Sequence, residues 1–347
     1  MSEVKFGIKI PDHPLEATFR MAKLAEDLGL SSIWMVDHLV DLGVKPWGAY
    51  FTWGVLSALA SETRKVTLGT AVSDPHRLHP AVLAQAVTTL DHLSGGRAIL
   101  GLGAGEATNL EPYGISWDHP IARLKEAIQI MKALWTGNPI TYKGRFYRLE
   151  KAYLRPKPIK SPHPPIWVAA ASPNSMKITG VEADGWIPIA FAFPPKQYRE
   201  KLDMIQSYAQ TSGRSEEDIE PALFVHTVVD EDREKAREMI ELPAKTLLLY
   251  WTPEVFEDYG FNVSEFHLLK KVYDDEAVQE LLNTARALPI EPVNKSFIFG
   301  TPSDCLKRVR EYVEAGVRHF IFAFTVPPEK MELNLRLYVE HVIPEVL

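Results

Sequence analysis

The residue types best able to do chemistry cluster in Gly101-Leu102-Gly103-Ala104-Gly105-Glu106-Ala107-Thr108-Asn109, directly after the apolar run Ala98-Ile99-Leu100. Glycines at alternate positions after a strand let a neighbour come very close to the backbone, and a flat ligand is the neighbour expected here. A carboxylate, Glu106, and an amide, Asn109, follow three residues apart, so the stretch reads as the floor of a site. A G-x-G-x-x-G dinucleotide loop is the competing reading, and it fails because Glu106 occupies the sixth place. The plainer alternative is a tight turn with Glu106 an exposed acid at a helix start.

Comparable groups recur after other apolar runs. Asp12-His13 follows residues 4–10, Asp37-His38 follows 33–36, Ser73-Asp74-Pro75 follows 66–72, and Ser172-Pro173-Asn174-Ser175 follows 166–170. A histidine beside a carboxylate can exchange a proton near neutral pH, although Asp37 and His38 can also simply satisfy each other. The Ser172 turn leads into a helix, where free N–H groups attract phosphate or an ordinary serine cap suffices. His13, His38, His76, His79 and Asp37 are conceivable metal ligands, but neither H-x-x-x-H nor H-E-x-x-H occurs, and no metal is expected.

The elements that position these groups alternate. Strands are expected at residues 4–10, 33–36, 66–72, 98–103, 166–170, 186–189, 223–229 and 320–324, from short β-rich apolar runs. Helical spacing or capping marks residues 15–28, 47–60, 80–93, 121–134, 195–210, 231–241 and 303–315. Such alternation calls for a parallel sheet, and eight units close it into a TIM (β/α)8 barrel, with a doubly wound open sheet as the alternative. One domain over residues 1–347 is expected, with an extra helical insertion at 243–294, before the last strand, serving as a lid or an oligomer contact. Residues 138–149 read as a small hairpin or an irregular excursion. In a barrel the site gathers at the carboxyl ends of the strands, where the groups above fall.

Composition narrows the partners. A net charge of -7 over 347 residues, without a dense Lys/Arg run, argues against nucleic acid and for a small molecule. The single cysteine, Cys305, excludes an internal disulfide framework and suits a reducing cytoplasm. No apolar run approaches the ~20 residues that span a bilayer, so no membrane association is expected.

Taken in order, Val36-Asp37-His38, Gly69-Thr70-Ala71-Val72-Ser73-Asp74-Pro75, His79-Pro80-Ala81-Val82-Leu83-Ala84-Gln85, Gly103-Ala104-Gly105-Glu106 with Asn109, and Ala169-Ala170-Ala171-Ser172-Pro173 resemble the luciferase-like flavin and deazaflavin oxidoreductases, within them the coenzyme F420-dependent branch. The resemblance spans nearly the whole chain. It implies hydride transfer between coenzyme F420 and a small organic substrate, with FMN as the alternative cofactor. Asp37, Glu106 and Asn109 would contact the ring system, joined by Ala71, Val72, Asp74, Ala104 and Gly105. The resemblance further implies a non-proline cis peptide at Ala71–Val72 and a phosphate site at Ala171, Ser172, Asn174 and Ser175. His38 would be the acid/base on the substrate, Asp37 would orient it or bond the cofactor, and Glu106 would exchange a proton at the ring's N1 region. A homodimer is expected.

The departures bear on substrate. The branch's alcohol and sugar-phosphate oxidisers carry a tryptophan shortly after the Asp-His pair, where this chain has Leu39-Val40-Asp41-Leu42 and its nearest tryptophan is Trp47. A lysine that the sugar-phosphate enzymes place after strand six is replaced by Ile189-Ala190-Phe191-Ala192-Phe193, and Lys295-Ser296 stands near their arginine anchor. An apolar pocket of Phe191, Phe193, Phe51 and Trp53 is therefore expected, taking an uncharged ketone, alcohol or pterin-like substrate. Methylene-tetrahydromethanopterin reduction and FMN-dependent monooxygenation are the alternatives.

Overall fold

Short strands rich in branched and aromatic residues, buried on both faces, suit a parallel sheet wrapped by helices. The computed structural model describes residues 3–41, 47–267 and 273–347 and shows that arrangement. Eight strands form the barrel: β1 (Lys5–Lys9), β2 (Ser32–Met35), β3 (Thr67–Thr70), β4 (Ala98–Leu102), β5 (Ile166–Val168), β6 (Gly185–Trp186), β7 (Glu220–Val229) and β8 (His319–Phe324). Each pairs in parallel with the next, and β8 returns to β1, so the sheet closes and leaves no barrel edge. The open-sheet alternative is thereby excluded.

Side-chain alternation divides the interior into two layers. Phe6, Ile8, Leu68, Leu100, Val168 and Phe322 point outwards and pack with the surrounding helices. Trp34, Ile99, Trp167, Ile187, Phe224 and Ile321 point inwards and plug the barrel. Below them Trp34 Nε1 donates to Ser32 Oγ at 2.7 Å, and Ser32 Oγ lies 2.6 Å from His319 Nε2, which satisfies the indole N–H and the hydroxyl enclosed there. The plug makes the barrel a solid support for whatever binds above it. No helix among the described residues is long and apolar enough to cross a membrane.

Several element boundaries depart from expectation. The helix expected over residues 47–60 begins at Thr52, because Trp47–Gly48 pairs antiparallel with Val40–Asp41. The hairpin option for residues 138–149 is the one found, Ile140–Lys143 against Arg148–Ala152, with the second strand running three residues past the expected bound. The helix expected to stop before Pro243 instead spans Arg233–Trp251, capped by Asp232. Proline costs a helix one hydrogen bond, but Ile240, Ala244 and Leu248 keep this one anchored in an apolar cluster with Leu281 and Phe256. A ninth strand, Ile298–Gly300, was not expected and lies beside β7, outside the closed ring. Within the 243–294 segment, helices Asp275–Ala287 and Glu291–Ser296 belong to the same cluster, which extends to Phe191.

Candidate active site

The alternating glycines admit a neighbour, but that neighbour is the protein itself. A Cβ on Gly101 would fall 1.8 Å from the Thr70 carbonyl oxygen, and one on Gly103 would fall 2.7 Å from Val72 Cγ2. The backbone crossing them carries the Ala71–Val72 peptide, which is cis as the resemblance implies. Ser73 N donates to Gly101 O at 2.9 Å and Gly103 N to Ser73 O at 2.8 Å, so β4 holds the end of β3 in place. The surface facing the mouth is then formed by Ala71, Val72 and Ala169, half-buried small residues lying on the barrel plug.

At the rim of that floor Glu106 is only 7% exposed, which rules out a solvated acid at a helix start. Its Oε1 lies 3.5 Å from His38 Nε2 and accepts a hydrogen bond of 2.5 Å from Asn109 Nδ2. Two groups 68 positions apart in the chain thus meet as a carboxylate-imidazole pair. Asn109 accepts at Oδ1 from the N–H groups of Leu39 and Val40, at 2.7 and 2.9 Å, and donates to Val40 O at 3.1 Å. Both its donors and both its acceptor positions are thereby used inside the protein, and Asn109 braces Glu106 against residues 39 and 40. Ala104 is fixed by its carbonyl, which accepts from Trp117 Nε1 at 3.0 Å, and Gly105 takes a positive φ of 74° to turn the chain towards Glu106.

Asp37 and Asp74 are likewise turned inwards. Asp37 is 2% exposed and accepts from Ser73 Oγ at 2.6 Å, from Trp53 Nε1 at 3.2 Å and from Arg77 Nη1 at 3.2 Å. Asp74 accepts from Arg77 Nε at 2.6 Å and from the N–H groups of His76 and Arg77. Burial opposes the charge on Arg77, but Asp37 and Asp74 outweigh it and hold the guanidinium above its ordinary pKa. A further bond runs from Arg77 Nη2 to the backbone oxygen of Asp37. The sequence reading gave Arg77 no carboxylate partner; the Asp74-x-x-Arg77 spacing just beyond a strand was the available signal. His38 therefore sits between two clamps, Arg77 on Asp37 and Asn109 on residues 39 and 40.

The Ser172 turn has the geometry of a reciprocal cap. Ser175 N donates to Ser172 Oγ at 3.2 Å and Ser172 N to Ser175 Oγ at 3.0 Å, at the start of helix Pro173–Glu182. Ala171 and Asn174 are exposed there, just past β5. The apolar wall expected from four aromatic residues is not assembled. Phe193 packs outside the barrel against Trp186, Phe191 stacks on Phe297 with ring centroids 5.1 Å apart, Trp53 serves Asp37, and Phe51 is 60% exposed. Leu42 lies outside the described residues, so the comparison made around it ends there. A residue absent from the sequence reading, His226, does reach the mouth from β7, and its Nδ1 lies 3.2 Å from Thr325 Oγ1.

Taken together, a closed parallel barrel with its ionisable pair at the carboxyl ends of β2 and β4 defines an α/β-barrel site of the kind that holds a planar cofactor. The chain belongs to the luciferase-like monooxygenase family, which it matches over residues 4–319. It is 28% identical to the 5,10-methylenetetrahydromethanopterin reductase of Archaeoglobus fulgidus, covering 99% of this chain and 100% of that one. It is 32% identical to an F420-dependent glucose-6-phosphate dehydrogenase of Microbacterium testaceum, covering 93% and 91%. Among solved structures, the coenzyme F420 dependent tetrahydromethanopterin reductase of Methanopyrus kandleri matches with a TM-score of 0.83 at 26% identity, over 100% of both chains.

Proposed function

We propose that this protein is a coenzyme F420-dependent oxidoreductase that moves a hydride between the deazaflavin and a small neutral organic substrate, an alcohol or ketone. The observation that carries the reading is the Glu106–His38 pair, 3.5 Å apart beside a half-buried floor of Ala71, Val72 and Ala169. The residues fit a flat ring: the floor is small and apolar, a carboxylate stands at its rim, and an exposed helix start past β5 suits a phosphate. When bound, the deazaflavin would supply a two-electron hydride centre. His38 gives a proton to, or takes one from, the substrate oxygen. Glu106 Oε1, oriented by Asn109, would be the group that holds or takes up the proton exchanged at the rim of a bound deazaflavin. Asp37 and Arg77 hold His38 in register. The helical segment 243–294, whose cluster reaches Phe191 beside His226, would shelter the mouth, and the functional unit would be a homodimer.

Methylene-tetrahydromethanopterin reduction is the second reading, supported by the end-to-end matches with two reductases acting on that class of pterin. Fluorescence titration should give tighter binding of F420 than of FMN, without oxygen uptake in turnover. Assays should then find hydride transfer with ketones, alcohols or the methylene pterin and little with glucose 6-phosphate. Tighter FMN binding coupled to oxygen consumption would replace the proposal with a monooxygenase, and efficient oxidation of glucose 6-phosphate would reverse the substrate assignment.

Glu106→Gln keeps the side-chain shape and the acceptor for Asn109 while removing the titrating proton. A slower rate and one flattened limb of the pH profile are expected, with the fold intact. An unaltered profile would remove Glu106 from the proton path.

A further inference from the structure

The mouth of the barrel has two unlike sides. On β3 and β5 the uppermost inward residues are Ala71 and Ala169, too small to do more than form a floor. On β7, β8 and β1 the corresponding positions are polar. Phe224 and Ala323 face inwards, and His226 and Thr325 stand two residues further along the same strand faces. The His226 ring lies over Phe224 with centroids 5.3 Å apart and beside Phe191 at 5.8 Å, and its Nδ1 meets Thr325 Oγ1 at 3.2 Å. On β1 the residues Phe6 and Ile8 face the helices, which turns Lys9 to the mouth, where it pairs with Asp12. None of these four polar residues has a part in the proton chemistry assigned above.

We infer that the His226, Thr325 and Lys9–Asp12 arc is a second substrate subsite, which holds a neutral hydrogen-bonding group of the substrate remote from its reacting carbon. The inference rests on the hydride-transfer reading for what reacts, but not for what the arc binds. Imidazole and hydroxyl each donate and accept, so the arc can hold a hydroxyl, carbonyl or amide oxygen beside the apolar edge of Phe224. His38 lies just beyond the carboxyl end of β2, three strands round from β7, so one substrate would be held at two separated points. Charge selects against an anion. Lys9 is already paired with Asp12, and among the described residues the two cations Lys9 and Arg77 are outnumbered by the carboxylates of Asp12, Asp37, Asp74 and Glu106. A phosphate dianion placed there would lose its hydration without gaining a cation of its own.

The test uses the full-length protein labelled with ¹⁵N-histidine and free of cofactor, titrated with cyclohexanol and, separately, with inorganic phosphate. The His226 resonances, identified by their absence in His226→Gln, should move saturably with cyclohexanol and stay in place with phosphate. Thr325→Val should weaken the cyclohexanol response by about tenfold, the size of one lost hydrogen bond that also orients its partner. Movement with phosphate alone, or with neither probe, overturns the inference. In parallel, His226→Leu should bind F420 within about twofold of the parent, and a tenfold loss would assign the arc to the cofactor instead. If the parent protein fails to bind F420, the hydride-transfer reading falls while the histidine titration still decides the arc.

Discussion

Replacing His38 with alanine should lower turnover by roughly 10²–10⁴-fold while leaving F420 affinity nearly unchanged, the usual size for loss of a positioned acid or base. The asymmetry follows from how His38 is held. Its side chain is 24% exposed, so the space it leaves opens to solvent at the mouth, and the residues on either side are held by other bonds. Asp37 is bound by Ser73, Trp53 and Arg77, and the N–H groups of Leu39 and Val40 by Asn109. The backbone at position 38 should therefore keep its path when the imidazole is lost. Single-turnover hydride transfer and a cofactor titration on the same variant separate the effects. Unchanged turnover would make His38 structural, and a parallel loss of cofactor affinity would make it a ring contact.

All eight barrel strands were legible, because each is a short apolar run set off from helical periodicity by turn residues. What local pattern could not carry was pairing at a distance. Trp47–Gly48 looks like the start of an apolar helix until Val40–Asp41 is found opposite it. The three residues Ile298–Gly300 are a strand only because β7 extends far enough to receive them. Pro243 reads as a stop, and packing of the apolar face around it overrides that rule. At the site, the rule that chemistry sits at strand ends placed Glu106 and His38 on one rim, and the structure brings them together. The glycines were read rightly as a close approach and wrongly as to what approaches, since a packed strand and a flat ligand leave the same local mark. The pairing of Arg77 escaped because its partner Asp37 lies forty positions earlier, and no spacing rule joins them. His226 escaped because one histidine in an apolar strand reads as core until the register shows it two residues above the plug.

Arg77→Met should destabilise the protein by about 3–5 kcal/mol, the size expected when one partner of a buried ion cluster is removed. The Arg77 side chain is 9% exposed and those of Asp37 and Asp74 are 2% and 8%, so no solvent is at hand to replace the guanidinium. Methionine fills most of the volume, which leaves the uncompensated carboxylates as the main loss. Arg77→Lys should fall between the two, because one ammonium cannot bond both carboxylates and the Asp37 backbone oxygen in the geometry of a planar fork. Adding Asp37→Asn to Arg77→Met should recover part of the stability by removing one stranded charge, whereas the same substitution alone should destabilise the parent. That change of sign, read from chemical unfolding of the four proteins, is the mark of direct coupling. A loss below about 1 kcal/mol for Arg77→Met would place the cluster with ordinary surface ion pairs and remove the clamp on His38.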